Sequence, residues 1–122
     1  MMRITIRGVP PSLNQFAGRE NSWDYRKAKS YWTQLVWAEC MASKERPREP
    51  FALADVEILY YFPTRSRHDA DNYAGKFLLD GLTKARVITD DDMAHIRLHV
   101  AGDYDRKQPR TVITVREVDA DV

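Results

Sequence analysis

The strongest constraint on the fold of this chain is an alternating segment that ends in a polar turn. Apolar side chains at positions 56, 58, 60 and 62 alternate with a second set at positions 55, 57, 59 and 61. This period of two predicts a central β-strand. The segment from Arg65 to Asp71 follows directly, so the strand would deliver these polar residues to one end of the sheet.

Two short acidic runs stand about twenty residues apart, each after an apolar stretch. The first is Arg67-His68-Asp69-Ala70-Asp71-Asn72 and the second is Thr89-Asp90-Asp91-Asp92. Clustered carboxylates repel one another, so runs of this kind at the ends of elements indicate a hard divalent cation between them. A second interpretation stays open, because Asp and Asn are also favoured as helix caps and in turns.

An amphipathic helix is predicted between the two runs. From Tyr73 to Ala85, apolar side chains recur at helical spacing. On the polar face, Asp80 and Lys84 form an i,i+4 pair, and Lys76 lies one turn beyond Asn72. An ammonium group is therefore expected near the first acidic run.

The remaining pattern predicts one domain over residues 1–122 with the order β-α-β-α-β-β. The first strand contains Ile4 and Ile6, and a helix runs from about Trp23 to Lys44. A charged hairpin from Gly102 to Lys107 precedes the last strand. The expected fold class is α/β (α+β), with a mixed sheet and helices packed on it.

Charge and cysteine content agree with a small intracellular protein that binds nucleic acid. The formal net charge is +1, but without the five aspartates of the two runs 13 acidic residues remain against 19 basic ones, a net +6. Basic side chains neutralise phosphates, so DNA binding is plausible. The one cysteine, Cys40, is expected to be a small core residue, which fits a reducing cytoplasm. No stretch is long enough to span a bilayer.

Several motifs together resemble the RusA family of Holliday junction resolvases. They are Pro10-Pro11-Ser12-Leu13-Asn14 after a short strand, the Asp-x-Asp-Asn run from Asp69 to Asn72, a lysine in the following helix, Leu79-Asp80-Gly81-Leu82, and the later Asp90-Asp91. The resemblance covers most of the chain in order. It implies a small α/β homodimer that cuts branched DNA with magnesium, or alternatively manganese, during recombination and repair in a bacterial or prophage setting.

The resemblance also implies roles for individual residues. Asp69, Asp71 and Asp91 match the family's metal ligands, and Asp90 matches the first aspartate of the Asp-Asp pair. Lys76 matches the catalytic lysine, although it falls five residues after Asp71 where four are expected, so the helix either begins with a one-residue bulge or directs this lysine differently.

Predicted DNA contacts lie beside both motifs. They are Asn14, Phe16, Arg19, Arg65, Arg67 and His68. Phe16, next to Gly18 and Arg19, is a candidate for stacking on an opened junction. A non-catalytic module that binds branched DNA remains the alternative, because it would keep the basic residues and use the acidic ones as caps. A calcium loop of the EF-hand type is excluded by the missing ligand and glycine after Asn72.

Overall fold

The computed structural model describes residues 1–20 and 22–119, and its element order matches the predicted one. Two short 3₁₀ turns, Leu13–Phe16 and Ala70–Tyr73, accompany the main elements. The strands and helices are β1 (Met2–Arg7), α1 (Trp23–Ala42), β2 (Ala54–Phe62), α2 (Leu79–Lys84), β3 (Ile96–Tyr104) and β4 (Arg110–Glu117). The predicted α+β class with a mixed sheet is confirmed.

The four strands form one sheet in the order β1-β4-β2-β3. β4 is antiparallel to both of its neighbours, whereas β2 and β3 are parallel. The predicted hairpin between the last two strands is therefore wrong, since β3 and β4 lie on opposite sides of β2. The connecting loop crosses the end of β2, where the Asp105 amide donates to the Phe62 carbonyl at 2.9 Å.

Both helices cover the same face of the sheet. The predicted alternation in β2 is confirmed, because Val56, Ile58 and Tyr60 are buried on that face. Ser22 caps the N-terminus of α1, because its hydroxyl accepts from the Tyr25 amide at 3.2 Å. Cys40 is fully buried, as predicted, and burial raises the pKa of its thiol to about 12.

The second helix is much shorter than predicted. Gly75 takes a positive φ of 88°, and the amides of Leu78 and Leu79 both donate to its carbonyl, so regular α-helix begins only at Leu79. A side chain at Gly75 would come within 3.0 Å of Ile58. The predicted apolar face is nevertheless buried at Leu82 and Ala85, because the turn before α2 keeps the chain against the core.

α2 ends in a Schellman motif built around an arginine. The Val87 amide donates to the Leu82 carbonyl at 3.0 Å, and the Arg86 amide donates to the Thr83 carbonyl at 3.0 Å. Arg86 has a φ of 60°, the left-handed conformation that glycine usually supplies at this position. None of the helices in the described part of the chain is long and apolar enough to cross a membrane.

Candidate functional site

The first acidic run lies beyond the C-terminal end of β2, as the alternation predicts. Asp69 precedes the 3₁₀ turn Ala70–Tyr73, but its side chain makes no capping hydrogen bond. Its carboxylate accepts instead from Arg67 Nε at 2.9 Å. Asp69 and Asp71 are both exposed. The capping interpretation therefore does not describe the side chain of Asp69, which remains accessible to a ligand.

The second acidic run forms the turn that leads into β3. Asp90 accepts from the Asp91 amide at 2.8 Å, and the Asp92 carbonyl accepts from the Ile96 amide at 3.0 Å. The Asp92 side chain contacts the ring of His95. Asp90 and Asp92 thus stabilise the turn through their own hydrogen bonds, as the turn interpretation expects.

Asp91 is the electrostatically perturbed carboxylate of the second run. Partial burial raises the pKa of the Asp91 carboxyl, and the neighbouring carboxylates of Asp80 and Asp90 raise it further. These three groups carry like charges that a cation would offset.

Asp80 was not among the predicted site residues, although it belongs to the motif Leu79-Asp80-Gly81-Leu82. Its carboxylate forms an ion pair with Lys29 of α1, with 3.2 Å between Asp80 Oδ2 and Lys29 Nζ. The predicted i,i+4 pair with Lys84 is therefore wrong. The Lys84 ammonium lies over the ring of Trp37, 5.5 Å from its centroid. A neighbouring helix therefore competes successfully for both side chains, which local spacing cannot reveal.

The two acidic groups lie at different levels of the sheet. The Asp92 carbonyl bonds at the start of β3, whereas Asp69 lines a cavity of about 110 Å³ together with Val100 and Gly102. Val100 and Gly102 lie four and six residues after Ile96, whose amide bonds the Asp92 carbonyl. At ~3.3 Å per residue, this spacing corresponds to ~13–20 Å along β3. Within residues 1–20 and 22–119, no three His, Cys, Asp or Glu side chains are arranged to hold a metal ion. The oxygen donors fit a hard cation chemically, but Asp69, Asp71 and Asp91 do not form such a ready-made group of three in the described single chain.

Lys76 is exposed in the turn between Gly75 and α2. The chain does not form a helix with a bulge here, because the 3₁₀ turn and α2 are separated by residues 74–78. Lys76 and Asn72 line a crevice with Pro10 and Pro11. The N-terminal motif and the first acidic run, far apart in sequence, therefore meet in space.

A cleft of basic and aromatic side chains adjoins Asp69. His68 stacks on Phe62 with ring centroids 3.7 Å apart and planes 8° apart. The Arg65 guanidinium lies 4.3 Å from the centroid of the Tyr104 ring. These residues line a cavity of about 490 Å³ that also contains Ser66. Arg67, next to this cleft in sequence, has 88% of its side chain accessible.

The predicted contacts near the N-terminus divide into exposed and buried residues. Asn14 and Arg19 are exposed, and Arg19 donates to the Gln15 carbonyl at 2.7 Å. Phe16 is only 5% exposed and packs against Tyr25 and Phe77. Its predicted stacking on DNA is wrong, because the ring belongs to the core.

Comparisons of the sequence with models of known protein families and with curated proteins returned no match. What the chain does must therefore be inferred from its own residues and their placement.

Proposed function

We propose that this protein is a magnesium-dependent endodeoxyribonuclease that acts as a homodimer on four-way DNA junctions. The observation that carries the proposal is the exposed carboxylate of Asp69, which makes no capping hydrogen bond and lies beside a cleft of basic and aromatic side chains. A nuclease needs cation ligands next to groups that hold a phosphate backbone. The motif resemblance to RusA resolvases supports the same activity and specifies the branched substrate.

The DNA-binding part of the proposal rests on side chains around the first acidic run. Arg65 and Arg67 supply positive charge for phosphates, and the aromatic stack of His68 on Phe62 fixes the imidazole at the entrance to the cleft. Arg67 already neutralises Asp69, which lowers the repulsion between this carboxylate and an approaching phosphate.

The catalytic part rests on the acidic residues and on Lys76. Asp69, Asp71 and Asp91 are the proposed magnesium ligands, with Asp90 and Asp80 as neighbouring carboxylates. When bound, magnesium makes water more acidic and offsets charge on a scissile phosphate. Lys76, exposed beside Asn72, is positioned to attract the same phosphate and to stabilise negative charge that develops on it.

The test is magnesium-dependent cleavage of a synthetic four-way junction by carboxylate-to-amide variants. Asp71→Asn and Asp91→Asn keep the side-chain shape but remove a ligand charge, so we expect cleavage to fall by about two orders of magnitude or more. Junction binding in chelator should persist or become tighter, because repulsion with phosphates is reduced. Glu39→Gln, on the exposed face of α1, is the matched control and should cleave normally. Near-normal cleavage by both aspartate variants would refute the metal site.

A second candidate function is binding of branched DNA without cleavage. It is favoured by the separation of the acidic groups within the described single chain. It predicts tight, structure-selective junction binding that is weakened by Arg65→Ala and Arg67→Ala, with no strand cleavage at any magnesium or manganese concentration. Cleavage that is abolished by Asp71→Asn would exclude it.

A further inference from the structure

β3 is a long strand at the open edge of the sheet. It spans Ile96–Tyr104, contains no proline, and pairs only with β2 among the strands described. The His95 carbonyl accepts from the Ala54 amide at 2.9 Å, so the odd-numbered backbone groups of β3 face β2. The even-numbered groups therefore face outward, including those of Leu98, Val100 and Gly102. An open edge of this kind is a template for another strand.

We infer that this edge pairs with the same edge of a second copy, antiparallel, about a two-fold axis at Val100. The two sheets would then form one continuous eight-stranded sheet. This inference rests on the homodimer of the proposed function and supplies its interface. Because outward-facing residues must pair with outward-facing residues, only registers that match even positions with even positions are allowed. Centring on Val100 pairs the middle of β3, from Leu98 to Gly102, and leaves the outward amides of Ile96 and Tyr104 in the bonds they already make to the Asp92 carbonyl and the Asp103 side chain.

The charges on the strand favour this register. Residue 97 lies opposite residue 103 of the second copy, so each Arg97 faces an Asp103 and the symmetry creates two such pairs. Both residues are exposed, and neither forms an ion pair within the described chain, where Asp103 only accepts from the Tyr104 amide at 2.7 Å. A shift of two residues in either direction leaves Arg97 without a carboxylate partner inside β3.

The apolar side of the strand is compatible with the same pairing. Val100 would face Val100 of the second copy, and Leu98 would face Gly102. Leu98 and Val100 are half-buried at present, packed on their inner side against the core. The space beside Gly102 is filled by the Phe62 ring, which a side chain at Gly102 would approach to 3.0 Å. Pairing would therefore cover apolar surface that the single chain leaves at its edge.

The pairing also changes where the acidic groups lie relative to one another. An antiparallel arrangement sets the start of one β3 beside the end of the other, with strands ~4.8 Å apart. The turn from Asp90 to Asp92 precedes β3, and Asp69 lies near Gly102 toward its end. The acidic turn of one copy would thus approach the Asp69–Asp71 run of the other, although the two are separated within each chain.

Paired cysteines test the register directly. Residues 99 and 101 form a pair that is not hydrogen-bonded across the axis, with Cα atoms ~4.5 Å apart, which suits a disulfide. We expect His99→Cys/Ala101→Cys to oxidise to a covalent dimer on a non-reducing gel. Each single variant should stay uncrosslinked, because position 99 faces position 101. Cys40 is buried and does not contribute.

Three results would overturn the inference. They are a monomer in sedimentation experiments at tens of micromolar, a dimer in which the double variant does not crosslink, and efficient crosslinking of His99→Cys alone, which indicates a shifted register. In parallel, Arg97→Ala should weaken dimerisation about 2- to 30-fold through the loss of two cross-strand pairs. Arg97→Glu combined with Asp103→Arg should restore it, and Arg106→Ala, an exposed cation outside β3, should leave the dimer unchanged.

Junction cleavage, measured on the same samples, separates this inference from the proposed function. A crosslinked dimer that never cleaves a junction would support the β3 interface and refute the proposed nuclease activity. Junction cleavage by a protein that does not crosslink through β3 would support the nuclease activity and refute the β3 interface.

Discussion

Gly81 is expected to be one of the least replaceable residues of the chain. It lies inside α2, where glycine normally costs ~1 kcal/mol relative to alanine, so local propensity alone predicts that Gly81→Ala stabilises the protein. A Cβ atom at this position would, however, lie 2.5 Å from Val36 Cβ and 2.9 Å from the Thr33 carbonyl oxygen. Carbon atoms in contact prefer ~3.5–4.0 Å, so α1 and α2 would have to separate by ~1 Å.

The size of the effect follows from which atoms clash. Overpacking costs ~1–3 kcal/mol, and the upper end applies because a Cβ and a backbone oxygen cannot rotate away. The higher helix propensity of alanine offsets ~1 kcal/mol of this cost, so the free energy of unfolding falls by about 2 kcal/mol in total. For a chain of this length that corresponds to a melting temperature lower by about 8 °C.

Urea denaturation of Gly81→Ala measures this loss as a shift of the midpoint by about 1 M. Gln34→Ala, an exposed change on α1, is the control and should remain within ~0.5 kcal/mol of the parent. If Gly81→Ala were as stable as the parent or more stable, the close packing of α1 against α2 would be refuted.

Three further predictions concern α2 and the candidate site. Arg86→Gly should stabilise the protein by about 1 kcal/mol in urea denaturation, because Arg86 holds a left-handed φ that glycine adopts without strain; an unchanged or lower midpoint would contradict the Schellman geometry. The raised pKa of Asp91 means that its ionisation disfavours the folded state: the penalty is absent below the ordinary Asp pKa near 3.8 and grows as pH rises through the higher folded-state value. Asp91→Asn should therefore be more stable than the parent at pH 7 and equally stable at pH 3. A loss of stability at pH 7 would contradict the prediction that ionised Asp91 destabilises the fold. Lys76→Ala should slow junction cleavage while junction binding stays nearly normal, whereas Lys84→Ala should cleave normally because its ammonium lies over Trp37; equal losses would show that Lys76 has no special role.

Local patterns predicted those parts of the fold that depend on local contacts. The alternation of β2 and the buried Cys40 were correctly predicted, because a period in the sequence directly reports which side chains face the core. The same reasoning placed Asp69 and Asp71 at the end of a strand. Periodicity failed at Gly75, since the apolar spacing continues through a turn with positive φ, where Ile58 of another element leaves little room for a Cβ atom.

Features that depend on distant partners could not be predicted in this way. Asp80 pairs with Lys29 rather than with its helical neighbour, and Phe16 is buried by Tyr25 and Phe77. In each case the competing partner comes from a different element. The insertion of β4 between β1 and β2 is also non-local, whereas the turn residues before it suggest a hairpin with β3.

The central place of β4 has a consequence for how the chain folds as it is synthesised. Of the four described strands β1 is synthesised first, but it has no strand partner until β4 is available to lie beside it. The four-stranded sheet cannot form before that point. Apolar residues of β1 and β2 that are buried in the complete fold, such as Ile4 and Ile58, therefore remain exposed in the nascent chain. Nascent chains arrested just before residue 110 should therefore be sensitive to protease, and cooperative protection should appear in one step once β4 has left the ribosome.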